Sequence, residues 1–244
     1  MDIYDRMKIN VPPGEVRGMC IAKFEVVHPD DWTDAHQKRK DVVSPLSYWC
    51  MERDNRAPKP GWYTRLSEGR EVWMSDTTAE RRDHAEPVFM MSTSRPERVI
   101  INGLGLGMVL AAALTFDSVK RVDVVERDDR VIELVGPYYL KDDRVRIHHA
   151  DALEQMGRWG ADARWDVGWT DIWPDISAGN LGEMKQFTDF YGARCGFHGN
   201  WSEGMAKRSA WDNRHWDDEG LRYLSEVEVA QFSEEDEENE SFEW

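Results

Sequence analysis

An α/β fold, with a parallel sheet flanked by helices behind a small β-rich N-terminal region, is predicted by three observations. Between Arg98 and Thr170 short apolar strands alternate with helix-compatible stretches, the pattern of βαβ units in a parallel sheet. A glycine-rich turn, Asn102-Gly103-Leu104-Gly105-Leu106-Gly107, leaves the first of those strands and opens the first of those helices. An acid, Glu126, ends the second strand, 23 residues beyond Gly103.

The elements follow in order. Residues 1–95 form the N-terminal region. Within it Glu15–Val27 holds one or two strands, and Pro29–Lys40 is a polar, helix-tolerant insertion. Pro58, Pro60 and Gly61 mark a turn. Trp62–Asp76 reads as a hairpin turning at Glu68-Gly69. Thr77–Met91 reads as one helix capped by Thr78, with Ala85, Val88, Phe89 and Met91 on its apolar side. Residues 96–230 form the Rossmann-like domain. Its strands are expected at Arg98–Ile101, Arg121–Glu126, Val145–His149 and Trp165–Thr170, and its helices at Met108–Phe116, Asp128–Val135 and Asp151–Trp159. A helix around Leu181–Tyr191 and a fifth strand at Arg194–His198 follow, and the parallel cycle is expected to stop there. Ser202–Ala230 is mostly helix-like, and residues 231–244 are expected to be a disordered acidic tail.

Composition limits the function classes. A chain of 244 residues with 41% hydrophobic residues and 12 tryptophans can bury a sizeable core. The formal charge of −16 disfavours non-specific binding to nucleic acid through phosphate neutralisation. Nine acids and no Lys or Arg lie between Ser225 and Trp244. Setting those nine aside leaves 38 of the 47 acids against 31 bases, so the folded part is mildly acidic. Cys20, Cys50 and Cys195 are scattered and odd in number, which suits a reducing compartment and neither zinc nor a disulfide framework. The N-terminus carries Asp2 and Asp5 and reads as no signal peptide, and no apolar run reaches the ~20 residues of a membrane span. A cytoplasmic location is therefore expected, and a homodimer is compatible with the chain.

The glycine turn allows close approach of a ligand to the backbone at a helix N-terminus. Glu126 stands where a carboxylate bonds a ribose diol. Together they fit a dinucleotide or an adenosyl-sulfonium. The dinucleotide fingerprint wants glycine or alanine where this chain has Met108, and the G-x-G-x-G run instead resembles that of class I S-adenosylmethionine-dependent methyltransferases. His149-Ala150-Asp151-Ala152-Leu153 resembles the segment whose aspartate reads the adenine amino group in that superfamily, and Trp165–Asp171 resembles its fourth strand, which ends in an active-site acid. The resemblance implies S-adenosyl-L-methionine as cofactor, held by Asn102, Gly103, Leu104, Gly105, Gly107, Glu126, Asp151 and Ala152.

Within the superfamily the chain looks like the spermidine synthase branch over roughly residues 60–200. Leu66-Ser67-Glu68-Gly69 is similar to that branch's L-x-x-G hairpin, Asp83-His84 to its His-Glu-like pair, and Ile100-Ile101 precede the glycines where most methyltransferases have an acid. The chain departs from the branch at Leu106, where spermidine synthases carry an aspartate that helps bind the aminopropyl amine. Leucine cannot bond an ammonium, which disfavours aminopropyl transfer. The segments INGLGLGM, HHADA and DIWPD are similar to a group of phage-encoded methyltransferase-like proteins, which would place the chain in a host cytoplasm. That similarity brings no acceptor.

Asp171 is the candidate catalytic residue, as base or orienter for the acceptor; the alternative is a helix cap or turn aspartate. Trp173 and Trp169 either stack on a flat group or pack in the core. His84 either lines the pocket mouth on the substrate side or is a hydrogen-bonded structural histidine. His148 and His149 are strand neighbours pointing to opposite faces, so no metal site is expected. The function predicted is an S-adenosylmethionine-dependent methyltransferase of unknown acceptor. The alternatives are an aminopropyl transferase of the spermidine synthase kind, or a degenerate relative serving in nucleoside binding or interaction.

Overall fold

The computed structural model of the chain describes residues 2–212; the expected helix beyond 212 and the acidic tail lie outside them. The chain opens with α1 (Ile3–Arg6), β1 (Gly14–Val16), β2 (Met19–Val26), α2 (Asp34–Gln37), α3 (Pro45–Arg53), β3 (Gly61–Glu68) and β4 (Glu71–Ser75). The four strands make an antiparallel sheet in sequence order. β2 and β3 pair over their full length, from Met19↔Glu68 to Val26↔Gly61. A register shift between Leu66 and Ser67 loosens β3 against β4.

Next come α4 (Thr78–Asp83), α5 (Ala85–Ser94), β5 (Arg98–Asn102), α6 (Met108–Leu114), β6 (Arg121–Glu126), α7 (Asp129–Tyr139), β7 (Val145–His149), α8 (Ala152–Arg158), β8 (Trp165–Thr170), α9 (Leu181–Gly192), β9 (Cys195–Asn200) and α10 (Glu203–Asp212). The five strands form a parallel sheet in the order β7-β6-β5-β8-β9. Order reverses on either side of β5, and that switch point opens a crevice at the carboxyl ends of β5 and β8.

Period-two alternation sends Val99 and Ile101 to one face of this sheet and Ile100 to the other. The first face packs on Val109, Leu110 and Ala113 of α6 and on Val131 and Val135 of α7. The same core takes in Met7, Ile9, Met19, Ile21 and Leu66, so residues from both sides of the expected boundary at 95/96 share one apolar interior. The second face packs on Leu181, Met184, Phe187 and Tyr191 of α9. Three ion pairs join the antiparallel sheet and its β1–β2 turn to α7: Arg17 reaches Asp129 at 2.9 Å and Glu133 at 3.3 Å, and Arg130 pairs with Glu68.

Four expectations are corrected. The stretch Thr77–Met91 is two helices, not one, and the cap of the first is Thr77 rather than Thr78: the Thr77 hydroxyl accepts from Glu80 N at 3.5 Å. Pro87 has no N–H to give the Asp83 carbonyl, so the ladder cannot run through, and the chain breaks at His84 (φ −104°, ψ 13°). Phe89, expected on the apolar side, is 53% exposed, whereas Val88 and Met91 are fully buried. The fifth strand is displaced to Cys195–Asn200 and pairs with β8 through Thr170↔Asn200.

Candidate functional site

A cavity of about 600 Å³ occupies the crevice. Its floor is the glycine turn and the ends of β6 and β8; β4, α4 and Trp201 close it from the other side. Each wall comes from an element the sheet order brings to this edge, so the site exists only in the folded chain.

The glycine turn is shaped first by the protein itself. Gly103 (φ +95°) crosses the backbone of Asp171 so closely that a Cβ there would lie 1.9 Å from the Asp171 carbonyl oxygen. Gly105 (φ +47°) lies under the Met74 side chain, whose Sδ would be 2.2 Å from such a Cβ. Gly107 is set back from the cavity behind the Tyr139 ring. The amides of the turn are also engaged. Gly103 N donates to Val125 O, Leu104 N to Glu126 Oε2, Leu106 N to Met74 Sδ and Gly107 N to Leu104 O.

Glu126 thus braces the turn while lining the cavity: Oε2 accepts from Leu104 N and Oε1 from Asp128 N, both at 2.8 Å. A carboxylate has about four acceptor positions, so lone pairs remain for a ligand. Asp151 caps α8, its Oδ1 accepting from Leu153 N and Glu154 N, and with Ala152 it lines the cavity beside Glu126. Asn102 departs from its expected role as a ligand contact. It is fully buried, its amide donating to Thr170 Oγ1 and its carbonyl accepting from Tyr191 OH. The side chain ties β5 to β8 and α9 and stands outside the cavity wall. Leu106 is likewise fully buried, so no side chain at that place faces a ligand.

Asp171 follows β8, and its amide donates to Asn102 O at 2.8 Å. It caps no helix. Instead its Oδ2 lies 2.7 Å from Nε2 of His84, a residue 87 positions earlier. Nδ1 of the same imidazole lies 2.7 Å from the Glu80 carbonyl. A carbonyl can only accept, and so can a carboxylate, so both ring nitrogens must donate and His84 is an imidazolium. Burial opposes that charge, but the Asp171 carboxylate outweighs it and pushes the His84 pKa up to about 9. Trp201 stacks on the imidazole at 6.5 Å with an interplanar angle of 23°. His84 is both a hydrogen-bonded buried histidine and part of the cavity wall. The second oxygen of Asp171, Oδ1, has no hydrogen bond among the described residues.

Trp173 lines the cavity but is 93% buried: its Nε1 donates to Glu183 Oε2 at 3.0 Å and its ring meets Phe187 edge-on. Trp169 is core. His148 and His149 diverge as expected, to Asp123 and to the Arg127 carbonyl. Among the described residues no group of three or more His, Cys, Asp or Glu is arranged to hold a metal, and no helix is long and apolar enough to cross a membrane.

Two wall residues were missed from sequence. Glu80 lies one turn before His84 in α4, and burial raises its carboxyl to about 7. The spacing Thr77-x-x-Glu80 is a capping-box pattern that would have located both the helix start and this acid. Met74, in β4, carried no sequence signal, because its role is contact with the glycine turn across the two sheets.

The cavity wall carries seven acids (Glu71, Glu80, Glu126, Asp128, Asp151, Asp171, Asp175) against Arg56, Arg127 and His84. Arg56 is committed to Asp83 at 2.7 Å. The surplus of carboxylates repels phosphate and attracts cations.

No protein-family model matches the chain. A stretch of 78 residues is 33% identical to the polyamine aminopropyltransferase of Streptococcus uberis, covering 30% of this chain and 27% of that protein. The chain thus spans about a quarter of the length of the curated relative it matches. Among solved structures, the chain is similar to an SAH-bound methyltransferase from Podospora anserina, at 15% identity over 67% of this chain and 71% of that chain, with a TM-score of 0.40. It is also similar to a spermidine synthase in complex with the transition-state analogue AdoDATO, at 23% identity over 50% and 47% of the two chains, with a TM-score of 0.34. The fold is defined by the strand order β7-β6-β5-β8-β9 and its parallel register.

Proposed function

We propose that the cavity binds S-adenosyl-L-methionine and that the chain is a methyltransferase. The observation that carries this reading is the state of the glycine turn. Four of its amides are already donating within the protein and a carboxylate, Glu126, sits against it. A pyrophosphate would need those amides and would meet that negative charge. An adenosyl-sulfonium needs neither, and its positive charge suits a wall of seven acids.

The residues present fit that group. A volume of about 600 Å³ lies within the ~300–1,000 Å³ of small-molecule sites. Glu126 would take the ribose hydroxyls, and Asp151 with Ala152 would flank the adenine, as the resemblance of the HHADA segment implies. Gly103, Leu104 and Gly105 would form the floor. Asn102 and Gly107 act from behind, holding β5 to β8 and opening α6. When bound, the cofactor supplies an electrophilic methyl group on a sulfonium.

The chain's own residues do the rest. His84 orients Asp171 through Nε2, and Oδ1 of Asp171 is left to accept a hydrogen from the incoming acceptor and orient it. Leu104, Ile172 and Trp173 exclude water from this corner. Aminopropyl transfer is the weaker reading: the place of the amine-binding aspartate is taken by Leu106, which is buried and apolar.

Calorimetric titration tests the proposal. S-adenosylmethionine or S-adenosylhomocysteine is expected to bind and raise the melting temperature by mass action. Binding of NAD with no heat from either adenosyl ligand would overturn it.

A further inference from the structure

Glu80 and His84 are four residues apart and so lie on one side of the α4 turn. The Glu80 carboxyl is half-buried in the cavity wall and has no hydrogen-bond partner among the described residues. The charged groups facing it come from three segments: Asp83 and His84 at the end of α4, Arg56 from the loop before β3, and Asp171 after β8. Arg56 is paired with Asp83 and His84 with Asp171, each at 2.7 Å. Both nearby cations are therefore matched by an acid of their own, and Glu80 is the acid left over. Glu71, Glu126, Asp128, Asp151 and Asp175 line the same cavity, with Arg127 as the further base.

We propose that the Glu80 carboxyl is the proton-exchanging group of the cavity: it is partly protonated before a cation arrives, gives up that proton when the sulfonium of the cofactor binds, and then stands as a carboxylate beside Asp171 to take up the acceptor's proton. Asp171 cannot serve as freely, because one of its oxygens is held by the imidazolium. Burial that lifts Glu80 to about 7 poises it for this exchange at neutral pH. A positive charge entering the wall draws the carboxyl back toward its ordinary range and so expels the proton. The proposal rests on the cofactor reading above.

The two adenosyl ligands separate the cases, since the sulfonium is charged and the thioether of S-adenosylhomocysteine is neutral. Calorimetry of each at pH 7, in buffers of different ionisation enthalpy, counts protons. The wild type is expected to release about half a proton with S-adenosylmethionine and none with S-adenosylhomocysteine. Glu80→Gln abolishes the release. Equal release with both ligands, no release with either, or release that persists in Glu80→Gln overturns the proposal. The comparison of ligands on the wild type needs no variant, so a Glu80→Gln protein that fails to fold does not rescue the idea. Carbon-13 NMR of the Glu80 carboxyl without ligand is expected to show a midpoint near 7; an ordinary glutamate value overturns the role independently. If neither ligand binds, the cofactor reading fails and the sulfonium coupling falls with it, whereas the NMR midpoint still reports on Glu80 alone.

Discussion

Nε2 of His84 lies 2.7 Å from Oδ2 of Asp171, joining the break between α4 and α5 to the end of β8. The histidine is nearly inaccessible and the aspartate opens on the cavity, so the pair presents one carboxylate oxygen to a ligand and keeps its positive partner out of water.

The pair makes stability pH-dependent. The folded value of His84, about 9, lies above its ordinary 6.5. Its contribution is fully present below the ordinary value and is lost as pH rises through the folded one. The melting temperature is therefore expected to fall between pH 7 and 9. His84→Gln should be less stable at pH 7 and flatter across this window, as differential scanning calorimetry would read. A wild-type curve that rises across it would contradict the imidazolium.

Asp171→Asn keeps the shape of the side chain and removes its charge. Binding of S-adenosylhomocysteine should be near normal, and methyl transfer, once an acceptor is in hand, should drop by ~10²-fold as the acceptor loses its orienting oxygen. Full transfer in the variant would leave Asp171 a structural residue.

Glu126→Ala should weaken S-adenosylmethionine at least ~10-fold, since a charged hydrogen bond is worth about 1.5–3 kcal/mol. The variant also frees Leu104 N and Asp128 N. Glu126→Gln, which retains one acceptor oxygen, is expected to fall between it and the wild type. Unchanged affinity in a folded Glu126→Ala protein, measured by titration calorimetry, would remove the residue from the ligand site.

Gly103→Ala and Gly105→Ala should differ sharply. At Gly103 the new Cβ meets backbone, the Asp171 carbonyl, and neither partner can give without moving the end of β8. A loss of several kcal/mol is expected, with adenosyl-ligand binding lost as Asp171 shifts. At Gly105 the obstacle is the end of the flexible Met74 side chain, so about 1 kcal/mol of left-handed strain dominates. Adding Met74→Ala should recover none of that strain. Thermal denaturation of the variants checks the order; equal losses would contradict the close crossing at Gly103.

The sequence by itself determined the parallel sheet, the glycine turn and the acids that end β6 and β8. The short apolar strand Arg121–Glu126 and the glycine spacing after Asn102 are local patterns, and local patterns survive into the fold because each buries apolar surface or opens a turn within a few residues. Tertiary structure alone decided what those residues do. Asn102 stands next to Gly103 in the chain yet points into the core, because Thr170 and Tyr191 offer it partners there. His84 became an imidazolium only when folding set it between a carbonyl and the carboxylate of a residue 87 positions away. Glu80 was one acid among 47 until burial raised its carboxyl against the pull of His84 and Arg56. Charge state depends on desolvation and on partners far along the chain, and periodicity carries no record of either.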